Sequence, residues 1–501
     1  MAAEHFEVLV VGAGISGIGA GYYLQTRCPG KRYAILEGRA DLGGTWGLFR
    51  YPGVRSDSDM FTLGYSFRPW TGARAIAGGA AILHYLRDTA RQFGIDRHVR
   101  YRHRVRAAAW SSGPARWAVE GEVGPDGRPF RYTCDFLFLC SGYYDYEQGH
   151  APPFPGSADF RGRVVHPQHW PAGLDYRGQR VVVIGSGATA MTLVPALAAD
   201  AAHVTLLQRS PSYVFCLPAE DRLARALRGL LPEWAALRLI RWRNILLGLL
   251  YYQACRRAPE RARRYFRRTV ARELPPGVDV DVHFKPHYQP WDQRVCVLPD
   301  ADLFRAMRAG RAEVVTDRVV KFTRAGVLLQ SGRELPADLI VTATGLKLLP
   351  CGGIRLALDG AAVQPGERLT YKGLMLSDVP NCAACVGYTN ASWTLRAELS
   401  ARYVCRLLRH MDRRGYAVCV PRCDPAAVGA RPLLGLTSGY VQRAAGLFPK
   451  QGPKAPWVLR QNYLLDLLSL GFGKVDDGAL VFTKRGVAAP TKGARLMSDD
   501  P

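Results

Sequence analysis

Gly12-x-Gly14-x-x-Gly17 follows the β-branched run Glu7–Val11 and opens a helix-like stretch that reaches about Arg27. In that pattern the first glycine permits a tight turn from strand into helix. The second lets the backbone approach a pyrophosphate, and the third lets helix and strand pack closely. The helix N-terminus then turns free N–H groups and the positive end of its dipole toward the phosphates. Ser16 lies inside this loop, where its hydroxyl and N–H can meet the pyrophosphate. Glu37 stands twenty residues after Gly17, at the end of a second strand Tyr33–Glu37. A carboxylate there accepts hydrogen bonds from a ribose diol. Val105 begins a later strand whose backbone is expected to meet the adenine edge.

The plan recurs. Arg180–Ile184 ends in Gly185-x-Gly187-x-x-Ala190, so Gly185, Ser186, Gly187, Ala188, Thr189 and Ala190 form a second phosphate loop. After its second strand, Val204–Gln208, come Arg209 and Ser210 in place of an acid. A carboxylate would repel a ribose 2′-phosphate, whereas a guanidinium and a hydroxyl would bind it. Two different dinucleotides are therefore expected, FAD in the first site and NADPH in the second. That pairing points to a flavin-dependent oxidoreductase.

These loops need elements to hold them. Each opening has a later strand that closes on a glycine, Asp135–Gly142 for the first and Asp338–Gly345 for the second. The predicted fold is α/β, with two Rossmann-like dinucleotide-binding domains and a helical insertion in the second. The expected boundaries are 1–150 for the first part of the FAD-binding domain and 151–350 for the NADP-binding domain, with the insertion at 219–275. The Pro/Gly-rich stretch Ala151–Gly156 is the expected linker. Residues 351–501, with a helix-like Leu395–Met411, should return to complete the first domain and add a C-terminal segment. The cleft between the domains should be lined partly by the insertion and by Trp457–Tyr463.

Hydrophobic content of 48% and charged content of 22% are those of an ordinary globular chain and exclude a disordered or fibrous one. No apolar run approaches the roughly 18–20 residues that a spanning helix needs. The N-terminus runs straight into a strand without a secretory pattern, so a cytoplasmic location is expected. Twelve cysteines lack a regular framework and read as reduced thiols; Cys382, Cys385, Cys419 and Cys423 are too loosely spaced for a metal site, and no metal is expected. The net charge of +25 is nearly all arginine, and no nucleic-acid module accompanies it, so no nucleic-acid partner is expected. One segment concentrates it: Arg222–Arg272 holds fourteen Arg against Glu233 and Glu260, interleaved with Leu, Ile, Trp and Tyr. That is a solvated basic face of the insertion, or a surface for peripheral membrane contact with anionic lipid.

Between the two loops lies Phe160-Arg-Gly162-Arg-Val-Val-His166-Pro-Gln-His-Trp170-Pro171. It resembles the FxGxxxHxxxW signature of class B flavin-dependent monooxygenases, in the form ending WP that typifies their Baeyer–Villiger type. Gly43-Gly44-Thr45-Trp46, Arg50-Tyr51-Pro52-Gly53 and Arg55-Ser56-Asp57 resemble the flavin-side loop of that family. Trp291-Asp292-Gln293-Arg294 resembles its active-site arginine segment, and Ala343-Thr344-Gly345 its second closing strand. The likeness runs from about residue 5 to about 485 and is strongest to the bacterial thioamide-activating subgroup. Two departures stand out. Gln293 replaces the usual Lys before the arginine, which leaves coenzyme choice to Arg209 and Ser210, and Leu346 follows Gly345 where Phe or Tyr is commoner.

The resemblance implies an FAD-dependent, NADPH-consuming monooxygenase that inserts one oxygen of O2 into ketones, giving esters or lactones through an arginine-stabilised C4a-peroxyflavin. Oxygenation of sulfide or thioamide sulfur is the expected second activity, so the partners are O2 and a small ketone or sulfur-containing substrate. Arg294 is the expected cation beside the reacting oxygen, and Asp57 its partner. His166 joins them in the reaction machinery, coupling domain rotation with Trp170 to coenzyme movement. Thr45 and Trp46 would wall the flavin, while Arg55 and Ser56 would face NADP. The alternatives are an N- or S-oxygenating flavin monooxygenase and a peroxide-releasing NADPH oxidase. A disulfide reductase of similar plan needs a CxxxxC beside the flavin, and no Cys occurs between Glu37 and Cys134. The oligomeric state is left open.

Overall fold

The computed structural model describes residues 3–423 and 428–484; the end of the expected final unit, 485–501, lies outside the described residues. Glu4–Val11 is buried at every apolar position and pairs in parallel with Tyr33–Leu36 on one side and with Arg128–Leu139 on the other. Near-continuous Val and Leu are what a strand covered on both faces requires. Arg128–Leu139 changes partners along its other edge. Its first half pairs antiparallel with Arg116–Val123, and its last three residues pair in parallel with Cys382–Ala384. The chain beyond 350 thus returns to the first sheet, which also takes in Arg355–Leu358 beside His103–Ser111. The long helix Trp393–Arg414 packs against the opening helix Ile15–Arg27.

The second sheet is wholly parallel, in the order Ala312–Thr316, His203–Gln208, Arg180–Ile184, Leu339–Thr342 and Arg163–Val165. Two connections run between the sheets, and they pair with each other: Tyr144–Gly149 and Leu346–Leu348 form an antiparallel ribbon. Three helices, Arg222–Leu230, Glu233–Arg257 and Pro259–Glu273, are inserted between strands of the second sheet. They do not stand apart from the first sheet's domain. Ala236, Leu237 and Ile240 bury against Phe61 and Ala75, and Arg241 forms a buried ion pair with Glu398 at 2.8 Å.

Candidate functional site

Gly12 adopts φ +102°, and a Cβ on Gly17 would fall 1.8 Å from the Gly12 carbonyl oxygen. The first turn therefore exists only with glycine at both places. Glu37 closes it from the next strand. Its carboxylate accepts the Ala13 N–H at 2.8 Å and the Arg39 N–H at 2.9 Å. Burial nonetheless raises its pKa against these two bonds. Val105 lies in His103–Ser111, whose first residue donates its N–H to the Glu37 carbonyl at 2.8 Å. This puts Val105 on the strand beside the Glu37 end of the loop and outside the cleft.

The loop opens into a cleft of about 260 Å³. The cleft gathers Gly14 and Ser16 from the first loop, Thr45, Trp46, Arg55, Ser56 and Asp57 from the segment after the second strand, and Arg294. Ala188, at the start of the second loop's helix, reaches it from the other side. Gly44 abuts Gly14, with a would-be Cβ 3.0 Å from the Gly14 Cα, so two glycine turns share one floor. Trp46 is a wall residue, and the Thr45 hydroxyl hydrogen-bonds to the Tyr144 hydroxyl.

Residues that local spacing did not reveal complete the cleft. Trp393, the first residue of its helix, donates its indole N–H to the Ser16 hydroxyl at 2.8 Å. Its ring stacks on Tyr143 with centroids 5.2 Å apart. Tyr388 adds a further wall, and its hydroxyl donates to the carboxylate of Asp466, which also pairs with the fully buried Arg396. Gly53, at φ +77°, lets the flavin-side loop seat on the second domain, since a Cβ there would lie 2.6 Å from the Ala196 Cβ. The Tyr51 hydroxyl meets Thr189 of the second loop, and burial pushes its pKa up to about 12.

Arg294 lines the cleft and is exposed to solvent within it. Its guanidinium points at the Tyr388 carbonyl at 3.5 Å. Trp291, three residues earlier, holds φ +71°, an unfavourable conformation for an aromatic residue and a sign that this turn is held by its surroundings. Asp57 shares the cleft with Arg294 without the expected contact. Among the described residues no hydrogen bond or close ion pair joins them, and they couple only through space. Burial raises the Asp57 pKa to about 6, against the pull of Arg55, Arg294 and the Val297 N–H.

Arg55 and Ser56 line the cleft, whereas Trp457–Tyr463 and the insertion stand behind it. The Arg55 guanidinium pairs with Asp302, the first residue of its helix, at 2.5 Å. Ser56 donates its hydroxyl to the Ser58 carbonyl at 2.9 Å, which closes its own turn. Trp457–Tyr463 supports the cleft from behind. The Gln461 side chain accepts the Thr389 N–H at 2.9 Å, while Leu434, Leu436 and Tyr440 form the wall next to Arg294. The insertion backs the cleft wall, with Ile245 buried against Tyr388 and Tyr252 against Trp291.

The second loop is built more openly. Gly185 holds φ +143° with a would-be Cβ 2.3 Å from the Ala343 carbonyl oxygen, so its turn also needs glycine. Gly187 faces open space, Ala188 is exposed, and Ala190 is fully buried. The Ser212 hydroxyl donates to that of Ser186 at 3.2 Å. Arg209 and Ser210 are exposed just past His203–Gln208, and among the described residues Arg209 has no acidic partner. An unpaired cation beside an open glycine loop fits a phosphorylated ribose. His166 belongs to neither loop. Its ring caps the turn after Arg163–Val165 by accepting the Gln168 N–H at 3.2 Å. It also presses on the interdomain ribbon, where a Cβ on Gly149 would fall 2.0 Å from the ring. Burial lowers its pKa.

Two glycine loops opening on one cleft define a flavoprotein with a second dinucleotide site. The flavin-binding monooxygenase-like family matches residues 77–222, and the NAD(P)-binding Rossmann-like domain matches residues 10–74. The FAD-containing monooxygenase EthA of Mycobacterium tuberculosis is 53% identical over 483 residues, covering 96% of this chain and 98% of its own. EthA of Mycolicibacterium smegmatis is 50% identical over 486 residues, covering 97% and 98%. The chain belongs to this family of FAD-containing monooxygenases. In fold it is similar to an oxidized steroid monooxygenase bound to NADP, with TM-score 0.75, 21% identity and coverage of 96% and 100%. An ε-caprolactone-bound cyclohexanone monooxygenase gives 0.72, at 20% identity and the same coverage.

Proposed function

We propose that this enzyme is a Baeyer–Villiger monooxygenase: ketone, O2, NADPH and a proton become ester or lactone, NADP+ and water. Residues 1–150 and 351–501 would form the FAD unit and 151–350 the NADP unit. The observation that carries the reading is Arg294, a cation lining the cleft that Gly14 and Ser16 of the first loop and Ala188 of the second also line. When bound, FAD reduced by NADPH would activate O2 for transfer of one oxygen atom. The first loop with Ser16 and Glu37 would hold FAD; the second loop with Arg209 and Ser210 would hold NADP.

Arg294 puts fixed positive charge in the cleft where negative charge would build on the reacting oxygens. Asp57 tunes that charge through space. Trp46, Tyr143, Tyr388 and Trp393 exclude water, which matters because water would divert activated oxygen into peroxide. His166 is a positioning residue: it holds the ribbon joining the two sheets and so ties any rotation between them to the second loop. A sulfide or thioamide offers a lone pair in the same place and would be oxygenated at sulfur. The test is product analysis with a simple ketone and with a thioether. Ester formed with one NADPH consumed per ester supports the reading. Sulfoxide without ester would give the heteroatom oxygenase, and stoichiometric hydrogen peroxide from both would give the oxidase.

A further inference from the structure

The helix Glu233–Arg257 buries Leu237, Ile240 and Ile245 on one side and carries a second set of large apolar residues on the other. Leu239, Trp242, Leu246 and Leu250 lie at i, i+3, i+7 and i+11 and form one stripe, yet all four are exposed, Leu250 by 64%. The stripe continues onto a second segment. The Trp242 ring meets Tyr463 edge-on with centroids 6.0 Å apart, and Tyr463 starts the helical turns that end in Leu468 and Phe472, exposed by 61% and 70%. Exposed apolar area of this extent on two adjoining elements marks a contact surface.

The charge around it identifies the occupant. Among the described residues, Arg222, Arg238, Arg257, Arg261, Arg264, Arg268 and Arg272 are exposed with no acidic partner. At the other end, Arg406 donates to the carbonyls of Leu470 and Gly473 at 2.8 and 2.6 Å, fastening the Phe472 turn to a hollow lined by Arg409, Arg413, Lys474 and one acid, Asp476. A second copy of this chain would bring the same cations against one another. Nucleic acid offers no counterpart to an exposed leucine stripe. No helix among the described residues is long and apolar enough to cross a membrane, so a bilayer contact here lies in the interface plane.

We propose that the stripe Leu239–Leu250 and the turn ending at Phe472 dock the enzyme on a bilayer of anionic lipid, with Arg409, Arg413 and Lys474 taking headgroup phosphates. The inner side of the same helix buries Ile245 against Tyr388, so a docked bilayer lies one helix away from the cleft wall.

The test is co-sedimentation of the flavin-loaded enzyme with vesicles of phosphatidylcholine alone and of phosphatidylcholine mixed with phosphatidylglycerol. Binding is expected only to the mixed vesicles and should fall with added salt. Leu246→Glu with Leu250→Glu should weaken it about tenfold or more, since charge replaces inserted apolar area. Arg409→Gln with Lys474→Gln should weaken it roughly thirtyfold. Flavin absorbance and ketone turnover in vesicle-free buffer should stay unchanged in both variants, which separates lost docking from lost folding. Absence of binding, or equal binding to neutral vesicles, overturns the proposal. So does self-association that the leucine variant abolishes while vesicles capture nothing; that result would assign the surface to a second copy.

Discussion

At the first glycine loop the third glycine has no room for a methyl group, while the second loop carries Ala190 at the same place, buried and accommodated. Glu37 is 6% exposed and fixed by two backbone N–H groups, whereas Arg209 and Ser210 stand in solvent. Trp393 and Tyr143 cover the first loop, and nothing among the described residues covers Gly187. One sequence plan has thus been built into a closed site and an open one. A closed site suits a group that stays through many turnovers; an open one suits a coenzyme that must leave after each.

The comparison can be broken at four places. The largest effect is expected at the cleft the loops share. Arg294→Ala should cut ester formation roughly 10²–10³-fold while NADPH oxidation continues and peroxide appears; equal loss of both would move the arginine's role to coenzyme binding. Next, Gly17→Ala should cost about 3 kcal/mol of stability through overpacking. Ala190→Gly should cost only about 1 kcal/mol, the helical penalty of glycine. Urea unfolding of the pair measures the asymmetry directly. Third, Arg209→Ala should raise the NADPH KM about thirtyfold through loss of a charge-assisted bond, with kcat and NADH turnover little changed. An unchanged NADPH KM would remove the argument for a 2′-phosphate site.

The smallest effect concerns Asp57. Its pKa is raised from 3.8 to about 6, so the folded state holds the proton more tightly than the unfolded chain. Stability is then full below pH 4, falls as pH rises to about 6, and stays lower above that. Asp57→Asn should abolish the fall and stabilise the protein at neutral pH by about 1–2 kcal/mol, allowing for solvent in the cleft. Melting curves at acid and neutral pH check the sign.

The parts of the fold legible in the sequence were those written locally. Strand, glycine turn and helix follow one another within some thirty residues, so both loops, Glu37 and Arg209 announce themselves by spacing. The return of the chain to the first sheet was readable from the closing strand and the helix expected at Leu395–Met411, observed as Trp393–Arg414. Trp393, Tyr143 and Tyr388 carried no such signal, because each matters through contacts with residues far away along the chain. Trp457–Tyr463 misled for the same reason. Its aromatic ends suggest a lining, but Leu434–Tyr440 already occupies that wall, and the later segment hydrogen-bonds behind it. Arg55 carries a contact of the same hidden kind: its acidic partner, Asp302, lies 247 residues away.

The bond between Ser16 and Trp393 spans 377 residues. During synthesis the first phosphate loop leaves the ribosome early, but its covering indole and the strand Cys382–Ala384 emerge only after the whole second sheet has been made. A nascent chain can therefore assemble its open coenzyme site well before its closed one. Covering of the first loop then waits for a chain translated past residue 393.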